Sequence, residues 1–250
     1  MIRAGWVLFT IMVSLAMGAS ELCAQTPAPL ISIGLDQAAD QGKVAVVMQL
    51  FLLMTVLSLA PSILIMLTSF TRIAIVISLL RQAMGTNQLP PNQVVIGLSL
   101  FLTFYVMAPV WQQVNQEALQ PLIASEINQK QALDRAVIPI RKFMISQTRE
   151  KDLALLVNVA KLERPNSIKD VPTTVLIPSF IISELKTAFQ IGFMLYVPFL
   201  IIDMVVASVL LSMGMMMLPP IMVSLPFKLM IFVLADGWYL IVGSLVKSFA

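Results

Sequence analysis

The sequence predicts an all-α membrane protein, and three observations support that prediction. Hydrophobic residues make up 58% of its 250 residues and charged residues only 12%, which is far from the composition of soluble domains. Uncharged runs such as residues 44–71 are longer than the roughly 20 apolar residues that a spanning helix needs. Turn-forming Gly, Asn and Pro residues separate these runs. We therefore expect helical hairpins in a membrane, together with a small helical extracytoplasmic domain.

The N-terminus has the layout of a secretory signal peptide. Arg3 precedes a short apolar core, and small and polar residues follow it up to Ala24. Since the apolar core is short for a spanning helix, we predict a signal peptide over residues 1–24, with an uncleaved anchor as the alternative. A polar spacer follows over residues 25–43. The one cysteine, Cys23, receives no role because it lies at the end of the leader.

An N-terminal helical hairpin is predicted over residues 44–111. Its first helix is expected to continue as far as Arg81, with a kink at Pro61 because proline lacks a backbone donor and crowds the preceding turn. Residues 85–93 are rich in glycine, asparagine and proline, which is typical of a turn. A second apolar helix is predicted over residues 94–111.

Polarity rises sharply over residues 112–172. Nine of the sixteen Lys and Arg residues and seven of the thirteen Asp and Glu residues lie there, so we predict a polar helical domain that faces water. One helix is expected around residues 118–131, with Pro139 breaking the chain after it. Another is expected to start after Thr148, a suitable N-cap, with two acidic residues in its first turn.

The signal peptide also predicts which side of the membrane each segment faces. If it is cleaved, the mature chain starts outside the cytoplasm and every span reverses its direction. The turn at residues 85–93 is then cytoplasmic, and the polar domain is periplasmic. The many basic residues of that domain oppose the positive-inside tendency, but that tendency weakens for loops of about sixty residues.

The last segment, residues 173–250, is predicted to form a C-terminal helical hairpin region. Two arrangements are open: two long spans with irregular ends, or one span followed by shorter helices that fold back at Pro219 and Pro220. The second is favoured because neither proline ring fits well inside a helix.

Methionine is concentrated just before this proline pair. Seven of the chain's seventeen methionines lie between residues 204 and 230. Because methionine is unbranched, flexible and polarizable, a cluster of it can form a deformable apolar rim that closes a passage. A packed or lipid-facing helix end is the alternative. The candidate gate residues are Met213, Met215, Met216 and Met217.

Ionisable residues interrupt the apolar runs. Each would cost roughly 2.5–3.5 kcal/mol at the centre of a bilayer, so we expect each to be paired, at an interface or in water. Glu184 has apolar flanks on both sides, and Lys228 is its predicted partner, in the same chain or in a neighbouring copy. The other charges predicted to be buried are Arg72, Lys186, Asp203 and Asp236.

The composition excludes several kinds of chemistry. One cysteine and no histidine exclude an intrachain disulfide and the usual Cys/His zinc site. The chain has no nucleophile elbow, phosphate loop or dinucleotide glycine pattern, and its net charge of +3 gives no nucleic-acid footprint. We therefore predict no enzymatic activity and no cofactor. An ion- or proton-coupled transporter, with Asp203 and Glu184 as proton carriers, is the alternative function.

Two long blocks of the sequence resemble the signature regions of a known family. The first is SFTRIAIVISLLRQAMGTNQLPPNQVVIGLSLFLT at residues 69–103, and the second covers residues 177–238. Both are similar to the FliP family, whose members are membrane components of the bacterial flagellar type III export apparatus. The similarity covers the predicted membrane helices and the loop between them. The polar domain and the first forty residues carry no distinctive part of it.

The resemblance implies an assembly and a location. Five copies would form an oligomeric pore in the inner membrane at the flagellar basal body, together with the partner proteins FliQ and FliR. Unfolded flagellar subunits would pass through it towards the growing structure, and a downstream membrane protein of the export apparatus would lie against it. The helical hairpins would wind into this pore and would not cross the bilayer as ordinary spans.

The resemblance also implies roles for individual residues. By position, Met215, Met216 and Met217 resemble the family's methionine ring. Glu184 and Lys228 resemble its charge pair between subunits. Phe143, in the polar domain, resembles a residue at a subunit contact.

Overall fold

The computed structural model describes residues 41–86, 89–162, 167, 170–215 and 217–249. All regular secondary structure in this part is helical. The predicted signal peptide and most of the spacer lie outside those residues. In chain order the helices are α1 (Gln41–Met66), α2 (Phe70–Ala83), α3 (Asn92–Val114), a short π-helix (Asn115–Leu119), α4 (Gln120–Ile123), α5 (Gln129–Gln147), α6 (Glu150–Val159), α7 (Thr173–Ser212), α8 (Pro220–Leu234) and α9 (Gly237–Lys247).

The single long helix predicted at the N-terminal end is two helices. Pro61 lies inside α1, which does not end until Met66. The hydroxyl groups of Thr68 and Thr71 both donate to the Ile65 carbonyl, at 3.4 Å. Such hydroxyls compete with the helix for backbone partners. The polar residues after Met66 therefore end α1, whereas Pro61 does not.

Helices α2 and α3 pack against each other and form a hairpin. The turn between them begins at Gly85, whose φ of 79° is in the left-handed region that glycine adopts at little cost. Helix α3 covers the predicted range and extends beyond it at both ends, with Pro109 in its interior. The predicted turn is therefore confirmed.

Helix α2 is the most enclosed element of the fold. Ile73, Val76, Ile77 and Leu80 are at most 1% exposed, and their spacing of three and four residues places them on one face. This face packs against α3, α7 and the C-terminal helices. Two of the three clusters of buried hydrophobic residues in the described part of the chain therefore include α2, and the third joins α5, α6 and α7.

Boundaries in the polar domain differ from the prediction. Asn128 caps α5 by accepting from the Gln131 N–H at 2.9 Å, and the Gln131 side chain accepts from the Asn128 N–H at 3.1 Å. This capping box starts a new helix inside the range predicted as one, residues 118–131. Helix α5 then runs through Pro139, which is buried. Thr148 ends α5 and does not cap α6, because its hydroxyl donates to a carbonyl one turn back.

Helix α7 has forty residues, so it is about 60 Å long, twice the thickness of the hydrocarbon layer. Small residues line its buried face, among them Ser183, Ala188 and Gly192. A Cβ atom on Gly192 would lie 2.2 Å from a methyl carbon of Leu79. Small residues therefore allow α2 and α7 to approach closely, as helices in membranes do.

The chain folds back after α7, so that α7 and α8 form a second hairpin. Pro219 caps α8 and Pro220 starts it, which confirms the prediction that the chain folds at the proline pair. A further bend, which was not predicted, separates α8 from α9. Asp236 has a φ of 50° there, and the two helix axes differ by 66°.

Several of these helices are long and apolar enough to cross a membrane. Within the described part of the chain they are Val46–Ile63, Asn92–Ile123 and Thr173–Ser212, and the bent pair α8 and α9 would make a fourth. The protein is thus an all-α membrane protein, as predicted. It divides into two compact units, residues 1–53 and 54–250, and the packing of α2 to α9 belongs to the second.

Candidate functional site

Arg72 and Glu184 form an ion pair inside the helical bundle. Arg72 is 2% exposed and Glu184 is fully buried. The guanidinium Nε donates to Glu184 Oε2 at 2.8 Å, and Nη2 donates to Oε1 of the same carboxylate. Such bidentate contacts are among the strongest hydrogen bonds that side chains make. The pair joins α2 to α7.

The other N–H groups of Arg72 contact two more elements. Nη2 donates to Gln147 Oε1 at 2.9 Å, and Nη1 donates to the carbonyl and hydroxyl oxygens of Ser248 at 3.0 and 3.2 Å. The guanidinium carbon also lies 3.9 Å from the centre of the Phe249 ring. All five N–H donors of the guanidinium therefore have acceptors, which a buried cation requires.

A second ion pair, partly buried, joins Lys228 to Asp203. Lys228 is 3% exposed, and its Nζ donates to Asp203 Oδ2 at 2.6 Å and to the Ala83 carbonyl at 3.2 Å. The Ser224 hydroxyl donates to Asp203 Oδ1 at 2.5 Å. Since the free carbonyls at a helix C-terminus attract cations, the end of α2 also stabilises the lysine. This cluster links α2, α7 and α8.

Glu184 and Lys228 therefore have different partners within the chain. The structure pairs Glu184 with Arg72 and Lys228 with Asp203, so the pairing of Glu184 with Lys228 in one chain is not found. Both charges are already neutralised, because each has an oppositely charged group within hydrogen-bonding distance. A contact between Glu184 and Lys228 of neighbouring copies stays a prediction, which a single chain does not test.

A polar cluster connects the polar domain to α7 one residue before Glu184. The Ser183 hydroxyl accepts from the Arg149 backbone N–H at 3.0 Å and donates to Asp152 Oδ2 at 2.6 Å. Arg149 Nη2 donates to the same carboxylate oxygen at 2.5 Å. Desolvation opposes the ionisation of Asp152, but the hydrogen bonds from Ser183 and Arg149 and the charges of Arg149 and Lys186 outweigh it and lower the pKa of Asp152.

Three other predicted residues lie in different surroundings. Lys186 is exposed on α7, and Asp236 is exposed at the bend between α8 and α9. Phe143 is half-buried and packs against Phe180 and Phe249, with ring centroids 6.0 and 6.4 Å apart. Of the charges predicted to be buried, Arg72 is buried and Asp203 partly buried, whereas Lys186 and Asp236 are exposed in the single chain.

The clustered methionines lie in the turn between α7 and α8. Met213, Met215 and Met217 are 66%, 41% and 97% exposed, whereas Met216 lies outside the described residues. Gly214, with a φ of 74°, bends the chain between the first two. We call residues 213–219 the methionine turn. Its described methionines extend from the tip of the hairpin and do not fill the core.

An apolar groove lies beside the methionine turn, between α7 and α8. It encloses about 570 Å³, and apolar side chains of both helices line it. The outer faces of these helices are also apolar, with Met194 and Met222 74% and 73% exposed. Surface of this kind requires lipid or protein to cover it. The groove residues nearest the turn are Val209, Leu210, Met213, Met215 and Val223.

Several residues of the buried clusters were not predicted from the sequence. Gln147, Ser224 and Ser248 complete the two ion pairs, and Arg149 and Ser183 form the polar cluster. Isolated polar residues inside apolar helices, such as Ser183 and Ser224, are a signal that could have been used, because each needs a partner there. The others lie in polar or terminal segments where such residues are common.

The described residues contain no group of three or more His, Cys, Asp and Glu side chains that could hold a metal ion. Of the carboxylates in the apolar helices, Glu184 and Asp203 are bound by cations, and Asp236 is exposed at the bend after α8. The arrangement therefore joins helices and presents an apolar turn.

Comparison with known proteins agrees with this architecture. Residues 53–245 match the FliP family. The flagellar biosynthetic protein FliP of Bacillus subtilis (strain 168) is 58% identical over 217 residues, covering 87% of this chain and 98% of that protein. FliP of Aquifex aeolicus (strain VF5) is 49% identical over 238 residues, covering 94% and 97%. FliP of Agrobacterium fabrum (strain C58 / ATCC 33970) is 45% identical over 245 residues, covering 97% and 98%. With a match over most of its length and relatives this similar, the chain belongs to the FliP family.

Proposed function

We propose that the chain is a subunit of the flagellar type III protein export gate. In this proposal five copies assemble with FliQ and FliR family proteins into a pore for unfolded flagellar subunits. The FliP relatives are named flagellar biosynthetic proteins, which supports a role in flagellar export. The observation that carries the proposal is the methionine turn, exposed at the tip of a hairpin of two apolar helices.

The exposure of the methionine turn fits a gate formed by several copies better than it fits packing within a single chain. Met217 is 97% exposed and Met213 66%, so these side chains gain little from burial within their own chain. In a ring of copies, several such turns would meet around one axis. Methionine side chains adapt to irregular surfaces, and therefore such a ring would close against ions and yield to varied polypeptides. Met213, Met215, Met216 and Met217 would supply it.

The fold also supports an assembly. The apolar groove between α7 and α8 and the exposed apolar outer faces of these helices would be covered by neighbouring subunits or lipid. Since α7 is about 60 Å long, part of it would extend beyond the hydrocarbon layer. We place the assembly in the inner membrane at the flagellar basal body, with residues 112–172 in the periplasm. The downstream membrane protein of the export apparatus would lie next to the pore, and Phe143 would lie near a subunit contact.

The transporter alternative is less well supported. It needs Asp203 and Glu184 to take up and release protons. Glu184 is fully buried with both oxygens bound by Arg72, and Asp203 accepts from Lys228 and Ser224. Both carboxylates are thus already held by partners within the chain. Purified chain in liposomes would show saturable solute uptake driven by a pH gradient if it were a transporter, and we expect none.

Sizing of the complex tests the proposal. The full chain, co-expressed with its FliQ and FliR partners and extracted in mild detergent, should give a particle that contains five copies in native mass spectrometry. The double variant Met215→Ala and Met217→Ala should give a particle with the same number of copies, since the methionines close the pore and do not build it. A chain that stays monomeric with both partners present would refute the proposal.

A further inference from the structure

The end of the described chain contacts two helices that are distant in sequence. Ser248 accepts two hydrogen bonds from Arg72 Nη1 in α2. The Phe249 carbonyl accepts from Gln147 Nε2 in α5 at 3.2 Å. The Phe249 ring lies beneath the guanidinium of Arg72 and stacks on Phe143 of α5, with 24° between the ring planes. Ser248 and Phe249 therefore connect α5 to α2.

These two residues are themselves held firmly. The Ser248 N–H donates to the Ser244 carbonyl at 3.0 Å, and the Ser248 hydroxyl donates to the Leu245 carbonyl at 2.7 Å. Leu245 is 1% exposed and belongs to the core cluster around α2. Ser248 and Phe249 are thus already ordered by the packing at the end of α9. Forming their contacts to Arg72 and Gln147 therefore costs little chain entropy.

We propose that Ser248 and Phe249 form a strap that holds the end of α5, and with it the polar domain, on the transmembrane core. The same strap covers the Arg72–Glu184 ion pair. Without it, both N–H groups of Arg72 Nη1 lose their acceptors, and Gln147 loses the acceptor of its amide. A buried cation with unpaired donors is strongly destabilising, so the strap fixes the ion pair and the polar domain together.

The test is hydrogen–deuterium exchange of the full chain in nanodiscs, comparing the unmodified protein with Phe249→Ala. The amides at the end of α5, up to Gln147, should exchange about tenfold faster, the factor expected when interactions worth about one charged hydrogen bond are lost. Amides of the methionine turn, far from the strap in sequence, should exchange at an unchanged rate. The matched control is Ser244→Ala, at an exposed position one turn earlier on α9.

A conservative variant separates the strap from a general loss of packing. Phe249→Trp keeps an aromatic face for the Arg72 cation and should restore slow exchange in α5. If Phe249→Ala leaves α5 unchanged, or accelerates exchange equally in α5 and in the methionine turn, the strap is refuted. If Phe249→Ala does not fold, Ser248→Ala carries the same test, because it removes only the hydroxyl that accepts from Arg72 and donates to the Leu245 carbonyl.

Discussion

At the scale of single residues, the buried charges constrain which helices can pack together, because each charge needs its partner. Arg72 and Glu184 lie in apolar surroundings, and each would destabilise the fold without the opposite charge of the other. An ion pair of this kind adds little net stability compared with a well-packed apolar pair, but an unpaired member is costly. The sequence predicted that Glu184 needs a partner. It did not identify Arg72, because the partner lies 112 positions away and only the packing of α2 on α7 brings them together.

The Arg72–Glu184 pair should show this asymmetry in stability. Arg72→Met leaves a buried carboxylate without its cation, so we expect a loss of about 3–5 kcal/mol. The double variant Arg72→Met, Glu184→Leu removes both charges and should recover most of that loss. Thermal unfolding of the chain in detergent measures both. A double variant as unstable as the single one would contradict the pairing.

The Lys228–Asp203 pair makes a separate prediction. Double-mutant cycles with Lys228→Met and Asp203→Asn should give a coupling energy of about 1–3 kcal/mol, because the two groups share a hydrogen bond of 2.6 Å in a mostly buried site. The control cycle uses Lys247→Met and Asp236→Asn, which lie at exposed positions. Its coupling should be close to zero. Equal coupling energies in the two cycles would count against the intrachain pair.

Asp152 should make stability depend on acid. Its folded pKa is lowered by hydrogen bonds from Ser183 and Arg149, so the folded state binds fewer protons than the unfolded state, in which an aspartate titrates near pH 3.9. Its stabilising contribution is therefore complete above about pH 4 and is lost as the pH falls through the folded pKa. The Tm difference between the unmodified chain and Asp152→Asn should be clear at pH 6 and should shrink at pH 3. A difference that is the same at both values would disprove this contribution.

At the scale of helices, most elements could be predicted and their ends could not. Apolar runs and turn residues correctly indicated the α2–α3 hairpin and the fold at Pro219 and Pro220. The errors arose where local hydrogen bonds or packing outweighed proline. The Thr68 hydroxyl helps to end α1, and α5 continues through Pro139 because that residue is buried in a packed helix. Neither effect is visible in residue propensities alone.

The close approach of α2 and α7 makes a prediction at this scale. Gly192→Ala places a Cβ 2.2 Å from a Leu79 methyl carbon, and overpacking of this kind costs about 1–3 kcal/mol. Gly97→Ala in α3 is the matched control, since nothing lies within 4 Å of its Cβ. That change should be neutral or stabilising by up to about 1 kcal/mol because alanine favours helices. Thermal unfolding of both variants measures these changes in stability. If Gly192→Ala does not lower the stability, α2 and α7 are not in close contact.

At the scale of the whole molecule, the exposed apolar surface is what connects the fold to its proposed function. Met217 at the hairpin tip and the apolar outer faces of α7 and α8 have no cover within the described chain. The sequence predicted the methionine cluster and the family. It could not show that Met213 and Met217 extend from the tip of a hairpin, because that depends on where α7 ends and on the bend at Gly214. How copies of the chain would pack against each other in the proposed assembly depends on their folded surfaces, which the order of residues does not show.

The central claim is that the methionine turn closes a pore. The most direct measurement is the ion conductance of the assembled complex with FliQ and FliR in a planar bilayer. The complex with Met215→Ala and Met217→Ala should pass ions steadily even without a substrate. The complex with Met194→Ala, which removes another exposed methionine, from the side of α7, should stay closed. If both complexes assemble and the two conductances are the same, the methionine turn does not form the gate.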